Sequence, residues 1–433
     1  MAALFLFGPL GSLFAQQQST PPKPPRHHVR VEDESATSPE LGRATELIQK
    51  EDYAAAAPLL RGVTASDPGN YVAWFDLGFV ENALGKLDDS IAAYRRSVEA
   101  KPTVFESNLN LGLQLAKSGS IDAEKFLRAA TMLTPASHVN EGHARAWISL
   151  GHLLEKSRPD EALAAFENAV ALQPSDPEAH VSAGPLLEAA NRFADAEREY
   201  KQAQTLDPHS VDATIGLANL YMRGRRFSDA EQALKSLLVA QPESAAAHIQ
   251  MGRVLAAQEN YSAAIPEMQA GIKLSPNDSS AQREVAEIYA LAGKNDQAEA
   301  AYRALLAGHA GDPELHRGLG QALLRQKQFS PAQDEFLAAI KLKADFGEAY
   351  GDLAFAANEN KQYLLTVKAL AARAKLLPEV PVTYFLRASA LDHLRDYKQA
   401  AANYHLFLDV AQGKYPDQEW QARHRLIAIE PKK

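Results

Sequence analysis

The chain has 433 residues, 46% of them apolar and 23% charged, with a formal net charge of −9. That balance is a poor footprint for sequence-independent nucleic-acid binding, which needs a surplus of basic side chains on one surface. With no cysteine, disulfides, thiolate nucleophiles, zinc knuckles and iron–sulfur ligation are excluded, as is the acylated cysteine of a lipoprotein.

The segment 1–15 holds an apolar run broken by Gly8, Pro9 and Gly11 and too short to span a bilayer as a helix. Ala15 followed by Gln16 looks like a small-residue cleavage site, so residues 1–15 read as a signal peptide, although no Lys or Arg precedes the run. The expectation is an exported protein, periplasmic or secreted, or a cytoplasmic one if that segment is not a functional signal. Residues 16–36 are polar and Pro-rich and read as a disordered linker with polyproline II character. His27 and His28 belong to that solvated tether rather than to a metal site.

From residue 37 the chain aligns with itself at a period of about 34 residues. A first helix (A) carries a large residue, then Leu-Gly, as in Trp74, Leu77 and Gly78. A second helix (B) carries an aromatic and an Ala twice over and stops at Pro, as in Phe193, Ala196, Tyr200, Ala203 and Pro208. The small slot of helix A runs from Ala44, Gly78 and Gly112 to Ala354 and Ala388. That of helix B runs from Ala56 and Ser90 to Thr366 and Ala400. This pattern resembles the tetratricopeptide repeat family. The resemblance implies an all-α fold, a right-handed α-solenoid of about eleven helix-turn-helix repeats over residues 37–414, beginning near residues 37, 71, 105, 143, 177, 211, 245, 279, 313, 347 and 381.

Each slot has a physical reason. Small residues on A and B allow the two axes to approach where they cross. Asn70, Asp176, Ser210, Ser244, Asp278 and Asp312 stand where N-caps belong, and Pro177 and Pro313 follow in the first turn, where a missing N–H costs nothing. Gly85, Gly119, Gly224 and Gly293 fall in the A–B turns. Departures are equally informative. Glu81 occupies a slot that is otherwise apolar. Ala310, Ala344 and Gln412 replace the terminating Pro, so those B helices are expected to run longer. His138–Gly142 is a short insertion, expected to form a bend or protruding loop. Residues 415–433 form a capping helix and tail, with Trp420, Leu426 and Ile427 covering the last repeat and Gln421, Arg423 and Arg425 facing water.

No phosphate-binding loop, H-E-x-x-H or G-x-S-x-G motif occurs. The repeats fill the chain, so no catalytic residue, cofactor or metal is assigned and the protein is read as no enzyme. His138, His143 and His152 lack a partner at ligand spacing, and Asn260 and Asn277 head glycosylation-type triplets in turns where Asn is expected anyway. What remains is a second stripe along each A helix, which in the resembled family lines the groove. Its N-terminal part is an apolar patch of Phe75, Phe79, Leu109, Leu113 and Ile148, read either as a partner site or as packing against the neighbouring repeat. Further on it holds Asn219, Arg223, Arg253, Arg283, Glu287, Arg317, Gln321 and Arg325. Arginines bind carboxylates bidentately, so an acidic peptide or an anionic glycan is the matching ligand, unless nearby Glu side chains pair with them. The expected function is a protein–protein interaction scaffold that binds a protein or peptide partner, with no nucleic acid and no transmembrane span. The alternative is a structural factor for envelope or exopolysaccharide assembly, on family analogy alone.

Overall fold

The structure, a computed structural model, describes residues 38–430. The segments 1–15 and 16–36 therefore lie outside the described residues. Among those described, every regular element is an α-helix, and no helix is long and apolar enough to cross a membrane.

The chain divides into two units, each a stack of antiparallel A–B pairs. In the first, ending at Gln241, the pairs are α1 (Pro39–Gln49) with α2 (Tyr53–Ser66), α3 (Tyr71–Ala83) with α4 (Leu87–Ala100), α5 (Phe105–Lys117) with α6 (Ala123–Met132), α7 (Val139–Leu154) with α8 (Pro159–Leu172), α9 (Pro177–Ala189) with α10 (Phe193–Leu206), and α11 (Val211–Arg223) with α12 (Phe227–Ala240). In the second, from Pro242, they are α13 (Ala245–Ala257) with α14 (Tyr261–Leu274), α15 (Ser279–Leu291) with α16 (Asn295–Gly308), α17 (Pro313–Arg325) with α18 (Phe329–Leu342), α19 (Gly347–Glu359) with α20 (Tyr363–Arg373), and α21 (Pro381–His393) with α22 (Tyr397–Ala411). The single helix α23 (Pro416–Ile429) follows. Within each unit a B helix packs on its own A helix and on the A helix of the next pair, the stacking that defines an α-solenoid.

The period is written in the packing. Ser90, in the small slot of α4, donates its hydroxyl to the Gly78 carbonyl at 2.8 Å, so the two small slots do meet. The large residue four positions on then covers the glycine. A Cβ at Gly78 would stand 2.7 Å from the Tyr94 ring, and at Gly151 or Gly320 it would stand 2.6 Å from Phe166 or Phe336. Asn70, Ser210, Ser244 and Asp278 each accept from the backbone N–H three residues on, and Asp176 and Asp312 cap helices that begin with Pro.

Several expectations are corrected. The B helices without a terminating Pro do not lengthen as a class: α16 and α18 have 14 residues, like α14, and only α22 has 15. The turn after the helix ends it whether or not a Pro follows. The insertion at His138–Gly142 makes no protruding loop. His138 takes a left-handed backbone (φ 49°) and the rest becomes the first turn of α7, lengthening that helix to 16 residues. Gly142 fits there because Pro135 occupies the space of a side chain. Gly224 has φ −79°, and the left-handed residue of that turn is Arg225. In α23, Ala422 and Leu426 are buried as a cap requires, but Trp420 and Ile427 face solvent. Glu81 is buried as the centre of a triad, bonded to Arg61 of α2 and 3.2 Å from Lys86, and so ties the first two repeats together.

Candidate functional site

Residues four, seven and eleven apart share one face of a helix. On the A helices of the second unit this spacing picks out a largely polar stripe, open along most of its length although Gly318 lies against the Tyr302 ring. On α15 it holds Ser280, Glu284, Glu287 and Leu291. On α17 it holds Glu314, Gly318, Gln321 and Arg325, and on α19 Glu348, Asp352, Phe355 and Glu359. Side chains at its edge reach from one A helix to the next.

The sequence-predicted arginines lie along this edge, and each is engaged within its own unit. Arg253 grips Glu284 with two bonds, Nε to Oε2 at 2.6 Å and Nη2 to Oε1 at 2.8 Å, and also donates to Gln250. Arg283 is paired with Asp312, the N-cap of α17. Arg317 and Gln321 converge on one oxygen of Asp352, at 2.7 and 2.9 Å, and Arg325 donates to the Ala290 carbonyl at 2.8 Å. In the first unit Arg223 reaches back to Glu188 at 3.1 Å and lies over the Phe193 ring, while Asn219 is exposed one turn earlier on α11. Arg223, Arg253, Arg283 and Arg317 thus bind carboxylates, as their chemistry predicts, but the carboxylates are the protein's own, and Arg325 is held by a backbone carbonyl. Among the sequence-predicted residues Glu287 differs, its carboxylate having no hydrogen bond or ion pair to any described residue. Its half-enclosed position first, and repulsion from Glu284 second, hold its carboxyl above the usual range, against the pull of Arg283.

The apolar patch proves to be core. Phe75, Leu109 and Ile148 are buried, and Phe79 and Leu113 are half-buried. Phe75 lies 5.6 Å from the Tyr94 ring in a cluster with Val104 and Leu111, and Phe79 meets Tyr53 edge-on at 6.0 Å. Phe75 and Phe79 join consecutive repeats, and only the half-buried edges of Phe79 and Leu113 reach solvent from this patch. Sequence reasoning missed the exposed apolar residues at the other end, Phe355, Val382, Trp420 and Ile427. Their signal was present: each stands on the stripe of its own A helix, at positions that recur with the period of the repeat.

The histidines resolve into structural roles. His143 bonds the Leu133 carbonyl at 2.6 Å. His152 stands between Glu155 at 2.9 Å and Glu178 at 3.4 Å, joining α7 to α9. At the fourth position of several A helices a side-chain N–H group meets the carbonyl six residues earlier, as Trp74 does with Pro68, Asn108 with Pro102 and Gln282 with Pro276. His180, His248 and His316 occupy that position too, and their other ring nitrogen lies 2.6 Å from Glu199, Glu267 and Glu335. Among the described residues no group of His, Asp and Glu could hold a metal ion.

Family models described as tetratricopeptide repeat match residues 41–104, 121–177, 152–211, 187–251, 249–313 and 286–345, well over half of the chain. A curated relative, the protein O-mannosyl-transferase Tmtc3 of Drosophila melanogaster, is 31% identical over 113 residues, covering 21% of this chain and 12% of that protein. Similar solved structures include a tetratricopeptide repeat protein from Parabacteroides merdae (19% identity, 58% of this chain and 98% of that one, TM-score 0.44). They also include Cut9–Hcn1 of the APC/C (14%, 91% and 97%, 0.40) and YrrB, a TPR protein with an unusual peptide-binding site (23%, 43% and 96%, 0.38).

Proposed function

The chain belongs to the tetratricopeptide repeat family, and from that premise we propose that it is a non-enzymatic scaffold holding a segment of a partner protein along the face of its A helices. The fold itself points to protein–protein interaction. The observation that carries the finer reading is the stripe on the second unit's A helices. There Phe355 stays 45% exposed on a helix whose other faces are packed, in line with side chains that bridge repeat to repeat. An exposed aromatic on an ordered, polar-rimmed face marks a contact surface. The match to Tmtc3 spans only 12% of that transferase and gives no ground for assigning its reaction to this chain.

The test compares two faces of the full chain. Gln321→Lys with Phe355→Glu alters the A stripe. Leu337→Glu alters an exposed position on the B helix α18. Partners captured from a native extract by cross-linking are expected to disappear with the A-face variant and persist with the B-face variant, at unchanged helicity by circular dichroism. Partners retained by the A-face variant would remove the assignment.

A further inference from the structure

We infer that the A face of the second unit takes a basic segment carrying a bulky apolar side chain, and not the acidic peptide that its arginines suggest. The inference rests on the scaffold reading above and gives the chemistry of the partner.

The first observation is the closure of the arginines. Arg253, Arg283 and Arg317 each face a carboxylate of the following repeat: Glu284, Asp312 and Asp352. An acidic ligand would have to displace an intramolecular carboxylate that is already positioned, exchanging one ion pair for another with no net gain in charge attraction. The second observation is what those pairings leave over. The carboxylates of Glu287, Glu348 and Glu359 carry no hydrogen bond or ion pair to any described residue, and all three residues are exposed. All three lie on the stripe, and the last two flank Phe355 on α19, seven residues before and four after. With Arg253, Arg283 and Arg317 neutralised, the three open carboxylates outnumber the charge of Arg325 and make this face negative, and Glu287 stands where a cation would relieve the repulsion from Glu284.

The third observation is apolar. Continuing along the stripe, Val382 on α21 is 43% exposed, and Trp420 and Ile427 on α23 are 62% and 72% exposed. Together with Phe355 they give the C-terminal end of the unit an uncovered aromatic and aliphatic character beside the acidic stretch. A segment that satisfies both carries Lys or Arg to meet Glu287, Glu348 and Glu359, and a Trp, Phe or Leu to lie on Phe355. Successive A helices stand roughly 10 Å apart, so an extended chain at about 3.3 Å per residue needs about six residues to run from Glu287 to Phe355.

The probe is a fluorescein-labelled peptide, a dozen or so amino acids long, with Lys near both ends, Trp in the middle and a Gly/Ser background. Two counterparts replace Lys by Glu, or Trp by Ala. Binding to the full chain is read by fluorescence anisotropy at low and moderate salt. The Lys–Trp peptide is expected to bind about tenfold or more tighter than the Glu–Trp peptide, with the difference shrinking as salt rises. The triple variant Glu287→Gln, Glu348→Gln, Glu359→Gln, which breaks no internal pair, is expected to weaken it about five- to tenfold. Phe355→Ala weakens it as well, and the Ala-for-Trp peptide loses the sensitivity to Phe355. Equal or tighter binding of the Glu–Trp peptide would overturn the inference, as would failure of the Lys–Trp peptide to bind. If the Glu–Trp peptide binds and Phe355→Ala weakens it, the charge assignment falls while the scaffold reading stands. If peptides bind but no A-face substitution changes any affinity, the scaffold reading falls with it.

Discussion

His152 is held by Glu155 on its own helix and by Glu178 on the next A helix. Loss of hydration alone would lower the imidazole pKa, but the two carboxylate hydrogen bonds outweigh it and raise the value from the usual 6.5 to about 9. Glu178 is held low in turn, chiefly by its bond to His152. The histidine is therefore charged at neutral pH. A group whose pKa is raised on folding contributes its full stability below about 6.5, the unfolded value, and loses it as pH climbs through about 9. Urea midpoints of the native chain should accordingly fall between pH 6.5 and 9 relative to those of His152→Gln, which cannot titrate. Parallel curves for the two proteins would show that the charged bridge does not form. The same scale explains which residues the sequence disclosed. The stripe arginines were legible because their positions follow the period of the repeat. Their partners were not, because Glu284, Asp312 and Asp352 lie 31, 29 and 35 residues downstream, with no constant interval to search for.

At the scale of the helix and its turn, ten of the eleven A–B connections share one demand, the α7–α8 turn being the exception. The residue after the C-cap adopts a left-handed backbone, and those residues are Glu51, Gly85, Gly119, Asn191, Arg225, Glu259, Gly293, Lys327, Lys361 and Arg395. Glycine suits this conformation, whereas a Cβ is crowded in it. The side chains of Lys327 and Lys361 make no hydrogen bond or ion pair with any described residue to compensate. Replacing either by Gly should raise stability by roughly 0.5–1 kcal/mol, the relief of left-handed strain less the extra entropy of an unfolded Gly. Urea denaturation measures it, and a lowered midpoint for both variants would show that the turns are not strained. Helix existence, order and caps were all readable from the period, because N-cap chemistry and small slots are local signals. Burial phase was less so. Phe75 lies one helix position from the stripe, but Phe79 and Leu113 occupy the slot that Phe355 fills on α19 and are nevertheless half-buried. What the period does not show is the neighbour: Tyr53 of the preceding repeat lies against Phe79, which turns an apparent patch into inter-repeat packing.

Each unit is held by repetition, an A–B pair completed by the helix that follows it within the unit, so the last pair needs separate provision. At the C-terminal end α23 supplies it. Ala422 stands one repeat period after Ala388, in the small slot of what would be a twelfth A helix, but no B helix follows among the described residues. Where earlier A helices carry apolar residues toward their own B helix, as Leu353 does, α23 carries Gln421. It still closes the last pair: Ala422 and Leu426 join a cluster with Leu391, Tyr404, Phe407 and Ala411, and Arg425 grips Asp392 through two bonds at 2.6 and 2.7 Å. Ending the chain after Gly413 would uncover Phe407 and Ala411 and strand Asp392 without its cation. The lost burial amounts to roughly 3–5 kcal/mol of local stability, at about 1.5–3 kcal/mol for each large side chain returned to water. Because repeats couple only to neighbours, the damage should concentrate in α21 and α22 and fade toward α13. Amide hydrogen exchange resolves this: protection in α21 and α22 should fall by orders of magnitude in the truncated chain while α13 and α14 stay close to the intact protein. Trp420→Ala separates the cap from the surface it displays, since that side chain is 62% exposed and should leave the exchange pattern unchanged. If truncation leaves α21 and α22 fully protected, α23 is no cap, and its outward Trp420 and Ile427 would have to account for the helix being there.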